Sequence, residues 1–289
     1  MSTPADLSSA SSSLADPPSP ARAFPADRAN VLGVGVHAVD MEAALAAIAQ
    51  AIEERRKGYV CLTDVHGVME AQRDAALRDV LNRAFLNLPG GMPTAWVGRA
   101  QGHRGMDCVF GPDLMLEVCR QSESRGWSHF LYGGAPGVAP VLALRLRSAF
   151  PALRVVGTFT PPFRPLQPHE ARELERLVAR ARPDVIWVAL GTPRQEHFIA
   201  EFSERVDATL LLGVGAAFDF HSGRLRDAPR WVQRAGLLWV YRLLQDPRRL
   251  WRRHARRVPA FLVSLALHAS RVRSYPLEDA GSSRGEPSR

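Results

Sequence analysis

The stretch DVIWVALGTPRQEHFIAEFSERVDATLLLGVG, residues 184–215, decides the fold class of this chain. Apolar runs at 184–190 and 208–215 lie on either side of a segment with helical character. Two apolar runs joined by a helix are typical of parallel strands, because parallel strands need a long crossover connection instead of a tight turn. The stretch therefore predicts one βαβ unit.

The same alternation recurs through most of the sequence. Apolar runs at 31–36 and 59–63 each precede a helical stretch, and a run at 129–133 leads through a helix to another at 153–159. Repeated βαβ units build a parallel sheet that helices cover on both faces. We therefore predict an α/β fold: a parallel sheet core of Rossmann-like βαβ units with a C-terminal basic helical appendage.

Composition divides the chain into four segments. Both ends are rich in small and polar residues and poor in large apolar ones, so their burial cannot offset the entropy of ordering. From about Gly223 the strand signal stops, and the sequence predicts amphipathic helices broken near Pro247 and Pro259. The predicted segments are a disordered tail at 1–29, an α/β core at 30–222, a basic helical appendage at 223–272 and a second disordered tail at 273–289.

The charge of the chain points to an anionic partner. The net charge is +8 at pH 7, and Lys57 is the only lysine, so almost all of the positive charge is arginine. Guanidinium groups bind phosphate bidentately, and the compatible partners are nucleic acid, a nucleotide or an acidic membrane surface.

The run DPRRLWRRHARR, 246–257, concentrates this charge. Its six arginines recur at i, i+4 and i+8 along a predicted helix, and an apolar segment follows. One interpretation is a solvated charged face; the other is a helix that lies on anionic lipid. Six arginines without an acidic partner repel one another, which favours the anionic partner.

The cysteines and the apolar runs bear on the location of the protein. Three cysteines, with no metal-binding or redox spacing, suggest a reducing compartment. No apolar run approaches the roughly 20 residues that span a bilayer, and the N-terminal stretch has no apolar segment of the signal-peptide type. We expect a cytoplasmic protein.

The segment YGGAPGVA, 132–139, follows a predicted strand and opens a helix. Glycines there let a ligand approach the backbone, and the first N–H groups of a helix attract phosphate. The spacing is not G-x-G-x-x-G, so a phosphate loop and an ordinary turn both remain open. The candidate substrate-binding residues are Gly133, Gly134 and Gly137.

The segment GTPRQE, 191–196, also has two interpretations. Thr192 as N-cap, Pro193 at the first helical position and Gln195 at the third would form a capping box. Alternatively, the segment presents Thr192, Arg194 and Glu196 to a substrate at the carboxyl edge of the sheet, where α/β proteins bind ligands. Spacing alone favours the cap.

Asp219 lies between two phenylalanines in GVGAAFDFHSG, 213–223, after another predicted strand. It is either a buried, hydrogen-bonded turn former or a substrate-binding residue. The pattern slightly favours the turn former.

Together these segments resemble the WecG/TagA/CpsF family of bacterial glycosyltransferases. The G-x-P-K/R-Q-E segment is the most specific of them, and the resemblance covers about residues 31–270 in order. The matching stretches are GPDLMLEV, LYGGAPGVA, VALGTPRQEHFI, GVGAAFDFHSG and DAPRWVQRAGLLWVYRLLQDPRRLWRR.

The resemblance implies an inverting enzyme that moves a hexose or N-acetylhexosamine-type sugar from a UDP-sugar to a polyprenyl-diphosphate-linked acceptor. Such enzymes build capsule, exopolysaccharide and other bacterial surface polysaccharides at the inner face of the cell membrane, to which a similar appendage anchors them. The resemblance implies no metal ion and no cofactor, in agreement with the lack of a D-x-D pair. It also implies possible homo-oligomers through core surfaces.

Site roles follow from the same resemblance. Gln195 matches a glutamine that lines the active site. Arg242, Arg249 and Arg252 match appendage arginines that close over the site and engage the diphosphate of the substrate.

This sequence departs from the family pattern at the proposed catalytic base. The family has an aspartate in an L-P-D-G turn, whereas this chain reads LPGG, with Gly90 in that place. The family's T-x-N segment is LTD, so Leu62 and Asp64 replace its polar residues, and Leu238 replaces a glutamate. If the mechanism holds, Asp64 is the first candidate for the base and His66 the second.

Three functions remain in order of preference. The first is an active glycosyltransferase that uses another base. The second is a catalytically impaired nucleotide-sugar-binding paralogue. The third, nucleic-acid binding through the appendage, explains the charge but not the GTPRQE segment, so we expect no nucleic-acid partner.

Overall fold

A computed structural model describes residues 24–225, 229, 231–232, 235–245 and 247–277. For Leu238, Trp239, Arg242, Gln245 and residues 247–256 it describes the backbone and not the side chains. The strands are β1 Arg28–Val31, β2 Val34–His37, β3 Gly58–Thr63, β4 Leu86–Pro89, β5 Ser128–Gly133, β6 Arg154–Phe159, β7 Val185–Ala189 and β8 Leu210–Gly213. The helices are α1 Met41–Glu53, α2 Val65–Ala71, α3 Ala75–Arg83, α4 Met92–Ala100, α5 Gly111–Arg125, α6 Val138–Ala149, α7 Pro168–Ala181, α8 Arg194–Phe202, α9 Ala217–His221, α10 Leu238–Gln245 and α11 Pro247–Ala269.

The core is a six-stranded sheet in the order β4-β3-β8-β7-β5-β6, and all of its strand pairs are parallel. The stretch 184–215 forms β7, α8 and β8, with Val185 opposite Leu210 in the ladder. The predicted βαβ unit and the α/β fold class are confirmed.

Helices cover the sheet on both faces, as its apolar strands require. Trp187 of β7 faces a core built with α1, α5 and α6, whereas the next residue, Val188, faces a second core built with α3, α7 and α8. Both side chains are fully buried. Alternation along each strand thus supplies two separate cores from one sheet.

The segment 31–36 was predicted to form one strand of the parallel sheet, and this prediction is wrong. The segment forms a β-hairpin, because β1 and β2 pair antiparallel in a separate two-stranded sheet. The turn residues Leu32 and Gly33 have φ values of 55° and 80°. Only a two-residue turn with positive φ reverses a chain so tightly, and the glycine in VLGVGV was the available signal for it.

The packed structure extends into both predicted tails, 1–29 and 273–289. At the N-terminal side, Ala29 is buried and Phe24 packs edge-on against Phe85 with ring centroids 5.2 Å apart. At the C-terminal side, Tyr275 is buried and its carbonyl oxygen accepts a hydrogen bond from Asn30. The remainder of the predicted tails, 1–23 and 278–289, lies outside the described residues.

The appendage helix α11 continues through Pro259, so the predicted break there is wrong. Proline removes one intrahelical donor, but the next turn is held by packing, since Phe261 is buried in the core beside the sheet. The predicted break near Pro247 is confirmed, because α10 ends at Gln245 and α11 begins at Pro247. Among the described helices, none combines the length and apolarity needed to cross a bilayer.

Candidate active site

The carboxyl edge of the sheet contains a topological switch point between β5 and β7. From β5 the chain crosses to β6 on one side, and from β7 it crosses to β8 on the other. Connections that leave neighbouring strands in opposite directions open a crevice, which is where open α/β sheets bind ligands. The two loops beside this crevice are YGGAPGVA and GTPRQE.

Two glycines of the first loop are explained by close packing. A Cβ atom at Gly133, whose φ is 111°, would lie 2.5 Å from the carbonyl oxygen of Ala189. Gly134 donates its N–H to the same oxygen at 2.9 Å. Gly137, with φ of 82°, has open space around its Cβ position at the start of α6. The turn interpretation therefore accounts for Gly133 and Gly134, and Gly137 borders open space.

The predicted capping box in GTPRQE is wrong. Helix α8 begins at Arg194 with Pro193 as its N-cap and no side-chain cap. The Thr192 hydroxyl is used elsewhere, because it donates to Oε1 of Glu196 at 2.9 Å. The segment therefore does not cap α8 with a side chain, and its Thr192 hydroxyl is engaged by Glu196.

Gln195 and Glu196 form a buried polar pair that joins two strand ends. Gln195 Oε1 accepts the N–H of Gly215 after β8 at 3.0 Å, and its Nε2 donates to Glu196 Oε1 at 3.0 Å. Their exposed fractions are 3% and 2%. Glu196 therefore lies below the surface and holds Gln195, which disagrees with its predicted place in direct contact with substrate.

Glu196 has one oxygen without a hydrogen-bond partner among the described residues, Oε2. Burial raises the pKa of this carboxyl group, and the hydrogen bonds from Thr192 and Gln195 oppose that shift. The negative charge of Asp64 raises the pKa further. A protonated Glu196 at the centre of the sheet edge is the arrangement that burial favours.

Arg194 and Asp219 are both partly exposed near these loops. The Arg194 guanidinium lies over the ring of Phe163, 4.9 Å from its centroid. The Asp219 side chain is 39% exposed and lies 3.7 Å from Nε of Arg224. The prediction of a buried turn former at Asp219 is wrong in its burial, although the Asp219 carbonyl does accept the N–H groups of the following turn.

A cavity of about 1080 Å³ opens at the ends of β3 and β4, and both Asp64 and Gly90 line it. Asp64 is the N-cap of α2, where its Oδ1 accepts the N–H of Gly67 at 2.9 Å. His66, in the first turn of α2, also lines the cavity. The candidate bases therefore face the cavity, as the sequence predicted for one sheet edge.

The other predicted site residues that the structure describes do not line this cavity. They are Gly133, Gly134, Gly137, Thr192, Arg194, Gln195, Glu196 and Asp219. The side chains of Arg242, Arg249 and Arg252, and that of Leu238, lie outside the described part of the structure.

Gly90 occupies a position without room for a side chain. A Cβ atom there would lie 2.8 Å from the carbonyl carbon of Leu62 and 3.0 Å from N of Thr63. Gly90 also donates its own N–H to the Thr63 carbonyl at 3.0 Å. Because the neighbouring atoms belong to the backbone of β3, any larger residue requires the two strand ends to separate.

Sequence reasoning missed a contact between the appendage and the core. Arg257 of α11 donates to Nδ1 of His66 at 2.7 Å and forms an ion pair with Glu70 of α2. The expectation that the basic run has no acidic partner is therefore wrong for Arg257. Arg257 and Glu70 are 187 residues apart in the chain, so no local pattern could have revealed the pair.

The cavity also contains carboxylates that the sequence analysis did not single out. Asp107 is paired with Arg99 at 2.9 Å and Glu117 with Arg120 at 2.7 Å, and Glu42 and Asp113 complete the group. Within the described ranges, no three His, Cys, Asp or Glu side chains converge as metal ligands would.

Comparisons with known proteins agree with this architecture. The chain is 30% identical over 183 residues to an N-acetylglucosaminyldiphosphoundecaprenol N-acetyl-beta-D-mannosaminyltransferase of Bacillus subtilis (strain 168), covering 63% of this chain and 69% of that protein. It is 27% identical over 217 residues to a protein of the same description from Bacillus spizizenii (strain ATCC 23059 / NRRL B-14472 / W23), covering 75% and 82%. The family described as Glycosyl transferase WecG/TagA/CpsF matches residues 29–275, and the chain belongs to this family of glycosyltransferases.

Proposed function

We propose that this glycosyltransferase moves a hexose or N-acetylhexosamine-type sugar from a UDP-sugar to a polyprenyl-diphosphate-linked acceptor, with inversion, in bacterial surface polysaccharide synthesis. The proposal rests on one observation: two different candidate sites lie at the same edge of the sheet. The crevice between β5 and β7 suits a nucleotide, and the cavity at β3 and β4 has room for a large acceptor. The two similar Bacillus proteins are described as acting on an acceptor of this class.

In this proposal the crevice holds the UDP part of the donor. Gly137 borders open space at the start of α6, and Arg194 lies beside the same crevice. Asp219 and the appendage arginines Arg242, Arg249 and Arg252 complete the proposed substrate-binding set. The diphosphate leaves with its charge held by the arginines of this set.

Asp64 is the proposed base. Its carboxylate accepts the proton of the acceptor hydroxyl while the oxygen attacks the anomeric carbon and the bond from that carbon to the UDP oxygen breaks. Asp64 faces the cavity and lies close enough to Glu196 for its charge to raise the pKa of that group. This proximity to the GTPRQE loop supports a base between the donor crevice and the acceptor cavity.

The proposed location of the enzyme is the cytoplasmic face of the membrane, where the diphosphate group of such acceptors is exposed. The net charge of +8 and the basic helix α11 support adsorption on anionic lipid.

The test measures UDP release with synthetic N-acetylglucosaminyl-diphospho-lipid as acceptor and a panel of UDP-sugars, beginning with UDP-N-acetylmannosamine. Asp64→Asn keeps an N-cap, because Asn caps helices as well as Asp does. We expect kcat to fall about 10²- to 10⁴-fold with UDP binding unchanged, since a general base contributes roughly that much. Asp40→Asn, at the N-cap of α1 and not among the residues that line the cavity, is the matched control and should keep most of the activity. Full activity in Asp64→Asn would remove Asp64 from the mechanism.

The second candidate, an impaired nucleotide-sugar-binding paralogue, is favoured by the glycine at position 90. It predicts UDP-sugar binding with no release of UDP for any donor and acceptor in the panel.

A further inference from the structure

The lining of the cavity is chemically mixed. It includes the carboxylates of Glu42, Asp64, Asp107, Asp113 and Glu117 and the guanidinium groups of Arg120 and Arg257. Helices α4 and α11 contribute what we call the apolar wall: Trp96, Val97, Ala100, Phe261, Leu262 and Leu265. A ligand that fills this cavity must therefore be amphiphilic.

Much of the apolar wall is uncovered. Trp96 is 46% exposed and Leu262 is 60% exposed, although both line a concave site. Each square ångström of apolar surface left in water forgoes about 25 cal/mol. A hydrocarbon placed between α4 and α11 would recover that free energy.

The size of the cavity also requires more than a sugar. At about 1080 Å³ it lies slightly above the roughly 300–1,000 Å³ that holds a drug-sized ligand. The carboxylates accept hydrogen bonds from hydroxyl groups and so can bind a sugar ring. A sugar bound in this way leaves the apolar wall without a partner.

We infer that the apolar wall binds the first isoprene units of the acceptor's polyprenyl chain, while the acceptor sugar lies against the carboxylates beside Asp64. The inference rests on the proposed function, since it assigns the lipid part of the acceptor to a particular place. It makes α11 a part of the acceptor site, in addition to any role at the membrane surface.

The position of the wall favours one bound lipid chain over a general membrane surface. Val263, the residue after Leu262 on α11, is 58% exposed and does not line the cavity. The two side chains point about 100° apart around the helix, so a chain inside the cavity contacts Leu262 and not Val263. A single lipid molecule, tested in the absence of a bilayer, therefore shows whether contact inside the cavity contributes to binding.

The experiment measures binding by isothermal titration calorimetry, below the aggregation concentration of the lipid. The probes are N-acetylglucosaminyl-diphospho-farnesol and the tail-less N-acetylglucosamine 1-phosphate. We compare the whole chain with Leu262→Ser and Val263→Ser, both at exposed positions that should leave the fold unchanged, as circular dichroism verifies.

We expect Leu262→Ser to weaken binding of the farnesyl probe about 15-fold, the scale for losing contact with two methylene-sized groups. Val263→Ser should bind it as the wild type does, and neither change should alter binding of the tail-less probe. Equal weakening by both substitutions, or none by either, overturns the inference.

Failure of the inference and failure of the proposed function give different experimental results. Binding of the farnesyl probe needs no turnover, so a difference between Leu262 and Val263 stands even if no UDP-sugar is a donor. Conversely, an acceptor can support turnover although Leu262→Ser does not change its binding. That result would support the transferase activity and exclude the apolar wall from acceptor recognition.

Discussion

Gly90 shows that the missing aspartate is a matter of packing as well as of chemistry. The space in which a side chain would begin is filled by the backbone of β3 at Leu62 and Thr63. Restoring a carboxylate by substitution alone would therefore first push two strands apart.

We predict that Gly90→Ala lowers the free energy of unfolding by about 1–3 kcal/mol, the usual range for overpacking. Gly91→Ala is the matched control, because a Cβ atom there meets Asp64 Cβ at an ordinary 3.5 Å. It should change stability by less than about 1 kcal/mol. Urea unfolding measures both, and equal values for the pair would contradict the crowding seen at Gly90.

Glu196 provides a pH-dependent test of burial. Its folded-state pKa is raised above the ordinary value of 4.5, so its contribution to stability is fully present below that pH and is lost as pH rises through the folded pKa. Gln has no such titration and can still accept from Thr192 and Gln195 through its own Oε1. We expect Glu196→Gln to gain stability relative to wild type as pH increases from 5 to 8. Urea unfolding at three pH values measures the difference, and a pH-independent difference would refute a raised pKa.

At the scale of elements, α11 is joined to α2 by a half-buried ion pair. The side chains of Arg257 and Glu70 are 22% and 20% exposed, and the same guanidinium donates to His66. This contact holds the appendage beside the cavity.

A double-mutant cycle with Arg257→Gln and Glu70→Gln should give a coupling free energy of about 1 kcal/mol, since partly buried pairs in contact couple by roughly 0.5–3 kcal/mol. The exposed pair Arg83 and Asp79, 51% and 53% exposed, is the control and should give about 0.3–0.5 kcal/mol. Limited proteolysis should release α11 faster in Arg257→Gln. Coupling no larger than in the exposed pair would mean that the contact does not hold the helix.

Elements were predictable to different degrees. The strand at 185–189 and the helix after it followed from local periodicity. The hairpin at 28–37 could not be predicted in this way. One continuous strand and two strands around a tight turn produce the same run of apolar residues in the sequence. The start of α8 also differed, since the Thr192 hydroxyl bonds the carboxylate of Glu196, four residues further along the chain, and caps no backbone N–H of the first turn.

At the scale of the whole molecule, two buried histidines make the fold sensitive to acid. Burial lowers the pKa of His37 and of His129 from 6.5 to about 4. His129 is held between Ser122 and the indole N–H of Trp187, inside the core. Between pH 6.5 and 4 the unfolded chain binds protons that the folded one does not, so stability falls as pH falls.

We expect each histidine to remove about 2 kcal/mol of unfolding free energy between pH 7.5 and 5, from 1.36 kcal/mol per pKa unit. Urea unfolding across this range measures the slope. His129→Asn should reduce the slope between pH 6.5 and 5 and leave it unchanged between pH 7.5 and 9, where histidine does not titrate. An unchanged slope at acidic pH would show that His129 is protonated in the folded state.

The sequence by itself determined the fold class, the order of most strands and helices, and the placement of candidate residues at strand ends. These depend on local periodicity and on the rule that parallel strands end at one edge. Tertiary structure alone decided the crowding at Gly90, the burial of Glu196, the contact of Arg257 with Glu70 and the apolar wall of the cavity that Asp64 also lines. Each of these joins atoms from elements far apart in the chain, and the distances between such elements follow from how the helices pack on the sheet.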